Sequence, residues 1–218
     1  MIMLIKFIIP LLIFNYNTLN SDNIDLIIKL NYNNENISLN KAYNNNQAGI
    51  FSIRKLQFYI SELSFYNQNK RVLDYHKKYI LIDIENKNSL KISIPSKLIF
   101  DQVSFNLGID EETNKTGAKG GDLDPIHGMY WTWNSGYINF KLEGHYNLNN
   151  EFLYHLGGFI KPNNTLQKIK INVSSVDKNN IILNFDRFFN SLDFKLDKIL
   201  SPGKNAVNLS NLLAKSIN

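Results

Sequence analysis

From about residue 24 onward the chain alternates short segments rich in Ile, Phe, Tyr and Val with polar, Asn-rich breaks, the pattern of strands joined by turns. Strands are predicted over residues 24–30, 53–66, 79–84, 90–94, 98–107, 137–146, 152–159, 166–173 and 181–185. Within them apolar and polar positions alternate. Ile80, Ile82 and Ile84 share one face, and Lys168, Lys170 and Asn172 oppose Ile169, Ile171 and Val173. A half-buried antiparallel sheet requires that period of two. The expected fold is all-β, an antiparallel β-sandwich with a long loop and a short C-terminal helix.

The period changes near the C-terminus. Asp186 is expected to cap a turn through Phe188 and Phe189. After Ser201-Pro202-Gly203, a helix over 204–216 places Ala206, Leu209, Leu212, Leu213 and Ile217 on one side, as a lid over one end of the sandwich. The stretch from Gly108 to Gly128 fits neither period. It holds Asp110, Glu111, Glu112, Asp122, Asp124 and five glycines between two strand patterns. Loops of this length in compact domains tend to be functional.

The N-terminus reads as a leader. Met1 to Lys6 carries one positive charge, and Phe7 to Phe14 is apolar apart from Pro10. That run is shorter than the about 20 apolar residues that span a bilayer, so a signal peptide over residues 1–20 is expected, followed by one domain over 21–218. Export to the periplasm or the exterior follows, with no transmembrane segment after removal.

Composition narrows the chemistry. The 218 residues are 44% hydrophobic and 20% charged, which is globular, and contain no cysteine. A disulfide framework, a thiolate metal site and a thiol nucleophile are thereby excluded. The net charge of +5 comes from scattered Lys and Arg, so no phosphate-tracking groove and no nucleic-acid partner are expected. The sequence has no nucleophile elbow, phosphate-cradling glycine loop or zinc-protease helix, and no catalytic residue is assigned.

Candidate ligands cluster after the long loop, in His127-Gly128-Met129-Tyr130-Trp131-Thr132-Trp133-Asn134-Ser135-Gly136-Tyr137. Both tryptophans lie here, and in extended backbone Trp131 and Trp133 point to the same face. His145 and His155 follow on the next two strands, whereas His76 stands apart beside Lys77 and Lys78. Imidazole suits copper in either oxidation state, and the thioether of Met129 favours Cu(I). Trp pairs on strands are more often core packing than part of a site. Asp110, Asp122 and Asp124 could give oxygens to calcium, which takes about 6–8 of them. The alternative is that Asp122 and Asp124 shape a turn before Pro125.

The strings KLQFYISELSFY (55–66), GDLDPIHGMYWTWNSGYINFKLEG (121–144), FLYHLGG (152–158) and SPGKNAV (201–207) together resemble the ordered motifs of the MbnP-like copper-binding family, over essentially the whole chain after the leader. The resemblance implies a secreted or periplasmic Cu(I) protein in which a Trp is oxidised to kynurenine by a separate dihaem peroxidase and then binds copper with His. Trp131 and Trp133 both match that motif. His155 matches a recurring His of the family, while His127 stands where Asn is more usual. A competing expectation is a surface adhesion or carbohydrate-binding sandwich whose Tyr130, Trp131, Trp133 and Tyr137 form an exposed aromatic platform. A third is a hydrolase using Asp122 and Asp124.

Overall fold

The alternating segments build two stacked sheets. A computed structural model describes residues 22–45, 49–134, 136–147, 150–173, 179–195 and 198–217; the expected leader over 1–20 lies outside them. The strands run β1 (Asn23–Tyr32), β2 (Glu35–Asn36), β3 (Ala42–Asn45), β4 (Gly49–Asn67), β5 (Lys70–Asp74), β6 (Tyr79–Asp83), β7 (Lys91–Pro95), β8 (Gln102–Leu107), β9 (Tyr130–Trp131), β10 (Gly136–Tyr146), β11 (Asn150–Gly157), β12 (Gln167–Asn172) and β13 (Asn180–Asn184). Helices are α1 (Glu111–Lys115), α2 (Asp186–Ser191) and α3 (Lys204–Ile217).

In the smaller sheet β1 is central, with β13 on one side and β7 and β2 on the other. The β1–β13 pair is parallel, the one departure among the described pairings of named strands from the expected antiparallel order. The larger sheet is organised by β4, which is 19 residues long. On one edge β4 meets β3, β6 and β5. On the other it meets β10 along its first half, up to Phe58↔Phe140, and β8 along its second, from Ile60↔Leu107. Strands β8 and β10 therefore lie end to end, extended outward by β12 and β11. The connection from β8 to β10 leaves the sheet beside Ile60 and returns beside Phe58, so the long loop is an excursion from one spot.

Alternation turns Leu26, Ile28 and Leu30 of β1 inward against Phe58, Phe140, Leu142 and Tyr154 of the larger sheet. Helix α3 buries Ala206, Leu209, Leu213 and Ile217 and packs on α2, β11, β12 and β13. Those strands edge both sheets, so α3 closes a side of the sandwich rather than one end. Expected boundaries hold to within one residue in β6, β7, β10, β12 and β13 and shift further in β1, β4, β8 and β11. The strand expected over 98–107 begins at Gln102, because the chain turns at Leu98, whose N–H bonds to the Pro95 carbonyl. Short polar strands β3 and β5 escape the pattern because pairing with β4 makes them, and Tyr43 is the single large apolar side chain that β3 buries. Asp186 is the first residue of α2 rather than its cap. The Asn184 side chain accepts its N–H at 2.7 Å, while Asp186 accepts the N–H of Asn33 at 2.6 Å.

Candidate metal centre

On the outer face of the larger sheet, register sets polar residues in a row. Asp83 of β6 faces Gln57 of β4, Gln57 faces Lys141 of β10, and Lys141 faces His155 of β11. Leu156 and Tyr154 point into the core, so His155 and Gly157 point outward. Glu143, one row below Lys141, meets His155 diagonally, with Oε1 2.9 Å from Nε2. A carboxylate only accepts, so the imidazole carries its proton on Nε2 and keeps the Nδ1 lone pair. Arg54 holds the other Glu143 oxygen at 3.1 Å.

Charge balance at this row follows burial. Burial pushes His155 below the ordinary imidazole value, and nearby Lys141 adds to that against the opposing pull of Glu143. The ring is thus neutral at pH 7, the form that binds a metal. Burial raises the Glu143 carboxyl, but the His155 hydrogen bond and the charges of His155, Lys141 and Arg54 outweigh it and leave the group below its usual value. Burial also lowers the Lys141 ammonium, whose Nζ donates to the Gly128 carbonyl.

Above this row the 108–134 excursion lies on the sheet and makes a second apolar cluster. Ile109, Leu123, Met129 and Trp131 from the excursion pack with Tyr59, Leu81, Tyr137 and Ile138. A register shift between Ile138 and Phe140 lets Ile138 join this outer cluster while Phe140 stays in the main core. The excursion is more ordered than its composition suggests. Asp110 caps α1 by accepting from Thr113 at 2.8 Å, and it also accepts from the Tyr79 hydroxyl. Short 3₁₀ turns span Gly121–Leu123 and Pro125–His127. Gly128 closes the second at φ 68°, a left-handed conformation suited to glycine.

Trp131 and Trp133 lie side by side but differ in burial. The chain turns at Thr132–Asn134 and re-enters β10, so Trp131 is 6% exposed and Trp133 65% exposed, with ring centroids 5.8 Å apart. The Trp131 indole lies on Gly157, where a Cβ would meet its Cζ3 at 2.6 Å and the Tyr137 carbonyl at 2.7 Å. Trp131 therefore sits two residues along β11 from His155, on the same face.

The other candidates are placed apart. Met129 is fully buried in the second cluster. The His127 Nε2 lies 3.1 Å from the Gly121 carbonyl, at the mouth of a groove shared with Asp122 and Lys77. His145 sits farther down β10, opposite Glu151. His76 packs on Tyr75. The aspartates are committed elsewhere: Asp122 to Lys77 at 2.7 Å and to the Leu81 N–H, Asp124 to the Ile126 N–H, and Asp110 to the α1 cap. Among the described residues no three His, Asp or Glu side chains converge as an ion cage. The calcium expectation therefore finds no clustered carboxylates among the described residues, and Asp122 and Asp124 are each taken up by local contacts. The exposed aromatic platform is also overturned, since Trp131 and Tyr137 are buried.

Lys141, Glu143, Gln57 and Gly157 are the participants that local pattern does not bring to His155. Alternation places 141 and 143 on one face, but only cross-strand register sets them beside residue 155. Two buried polar atoms in this region, Gln57 Oε1 and the Tyr59 hydroxyl, have no hydrogen-bond partner among the described residues.

Fold and site thus define a β-sandwich whose β8–β10 excursion lays a Trp against a strand bearing a carboxylate-held histidine. The family model of MbnP matches residues 21–207, and the chain belongs to the MbnP family. Among solved structures, MbnP from Methylosinus trichosporium superposes with a TM-score of 0.59 at 11% identity, over 84% of this chain and 82% of that one, a likeness of fold. No curated protein matches in sequence.

Proposed function

We propose that this MbnP-family chain is an exported copper-binding protein of the cell envelope, periplasmic or secreted, with copper held by His155 and an amine generated from Trp131. The observation that carries this reading is the placement of Trp131 on Gly157, two residues from a half-buried imidazole whose basicity burial lowers. Unmodified side chains alone do not fit copper here: the histidines are dispersed, and an intact indole is a donor only. Kynurenine supplies an aromatic amine and so a second nitrogen ligand. Trp131 is favoured over Trp133 because it lies over β11, whereas Trp133 projects from the turn.

The residues have separate roles. His155 offers Nδ1, while Glu143 fixes the tautomer and ring plane through Nε2, the common arrangement behind a metal-bound imidazole. Lys141 ties the excursion to the sheet at Gly128, one residue before the buried Met129. Bound copper contributes the soft acceptor for these nitrogen donors. Forming the amine is a four-electron oxidation. Two molecules of peroxide, consumed by a separate dihaem peroxidase as the family resemblance implies, each give one oxygen atom and lose the other as water, and the indole C2–C3 bond is cleaved with one oxygen placed on each carbon. Hydrolysis of the resulting formyl group releases formate, a net change of about +4 Da.

Competitive Cu(I) titration of protein from its own host tests the site. His155→Ala should lose copper retention, and Glu143→Gln should weaken it by about 10–100-fold. Retention unchanged in His155→Ala would remove this residue from the site. An unmodified chain that binds no copper would leave a member of the family that has kept the fold without the metal.

A further inference from the structure

The tryptophans differ in exposure but touch each other. Trp131 is 6% exposed and its ring lies on Gly157, so a macromolecular oxidant cannot reach it face on. Trp133 is 65% exposed at the tip of the turn, and its ring centroid is 5.8 Å from that of Trp131 at an interplanar angle of 46°. A large apolar ring held in solvent contributes little to folding, because most of its surface stays hydrated. Its position suits another task. Indole is among the most easily oxidised side chains, and two indoles in contact exchange an electron without a bridging group.

We propose that Trp133 is the entry point through which an external one-electron oxidant reaches Trp131. This deepens the reading of Trp131 as the oxidised residue and rests on it. The oxidant removes one electron from the Trp133 indole and is itself reduced by one electron. Trp131 then gives one electron to the Trp133 radical cation, which is restored, and the electron hole resides on Trp131. No covalent bond is made or broken in this step.

The neighbouring phenols help to keep the hole there. In the same apolar cluster a separate chain of rings runs from Tyr130 to Tyr137 at 4.9 Å and from Tyr137 to Tyr59 at 5.8 Å. Oxidising a phenol requires a base to take its proton. The Tyr59 hydroxyl has no acceptor among the described residues, and that of Tyr137 donates to the Leu123 backbone carbonyl, a weak base. Tyr59 and Tyr137 are therefore inefficient sinks for the hole.

The test is flash oxidation of the full chain with Trp131 intact, using photogenerated tris(bipyridine)ruthenium(III) and no copper, followed by peptide mapping. Wild type should accumulate oxygenated product at residue 131. Trp133→Phe, which keeps an aromatic ring but resists oxidation, should lose most of it, and Trp133→Tyr should restore most. Oxidation at 131 in Trp133→Phe as fast as in wild type would overturn the proposal. So would wild-type product confined to residue 133, or equal loss in Phe and Tyr variants, which would point to packing. The assay uses neither copper nor the native oxidant. An unmodified Trp131 in native-host protein would therefore sink the kynurenine reading and leave the transfer measurement standing.

Discussion

Gly157 shows how one missing side chain sets the geometry of the region. A Cβ there would lie 2.6 Å from the Trp131 ring and 2.7 Å from the Tyr137 carbonyl, and the backbone partner cannot swing away. Gly157→Ala should therefore cost about 1–3 kcal/mol, as overpacking does, and shift Trp131 emission to the red. Denaturant titration with fluorescence checks both, and an unshifted spectrum with full stability would contradict the contact. Asp110 gives a second residue-scale case. Asp110→Ala should cost about 1 kcal/mol through loss of the α1 cap, measured by denaturant titration. Burial raises its carboxyl, but the Tyr79 and Thr113 hydrogen bonds and the Lys78 charge bring it below the ordinary value. Its folded pKa being depressed, the contribution is present above the model-peptide value of 3.8 and fades as pH falls through the lower folded value. The wild-type and Asp110→Ala stability curves should converge at that acid end.

At the scale of elements, the 108–134 excursion lies as a flap on a sandwich that has its own core. Its ties are the second apolar cluster, the Asp122 contacts with β6, and Lys141 to Gly128. Lys141→Met keeps bulk in the row and removes one tie. Hydrogen exchange at residues 128–131 should then quicken, while β4, β8 and the rest of β10 keep their protection; unchanged exchange in 128–131 would contradict the role of Lys141. Helix α3 belongs to the sandwich itself, and Leu213→Ala should cost about 3 kcal/mol by leaving a cavity against the core. Alternation in the sequence revealed β6, β10, β12 and the apolar face of α3 because local burial creates those patterns. It could not reveal β3 or β5, which depend on edge pairing, nor the helical turns in the excursion, which short-range caps at Asp110 and Asp124 produce. The site was legible as a list of residue types and obscure as an arrangement. His155 and the Trp pair stand out in the chain, whereas the bond from Glu143 to His155 depends on register across residues 143 and 155. The turn at Thr132–Asn134 also leaves Trp133 exposed beside the buried Trp131, a difference that alternation does not reveal.

For the whole molecule, membership of the MbnP family and a shared fold at 11% identity leave function to be argued from the site. The sandwich supplies rigidity, the excursion supplies the Trp pair, and the outer face of β10 and β11 supplies His155 with Glu143. On the proposed reading these make a half-built centre that one covalent modification of Trp131 would complete. The decisive measurement is peptide mass analysis, with fragmentation, of the stretch between Lys119 and Lys141 from protein purified from its own host, alongside its copper content. The account predicts a gain of about 4 Da localised to residue 131, in protein that carries copper. An unmodified Trp131 in copper-loaded protein, or the gain localised to Trp133, would contradict it.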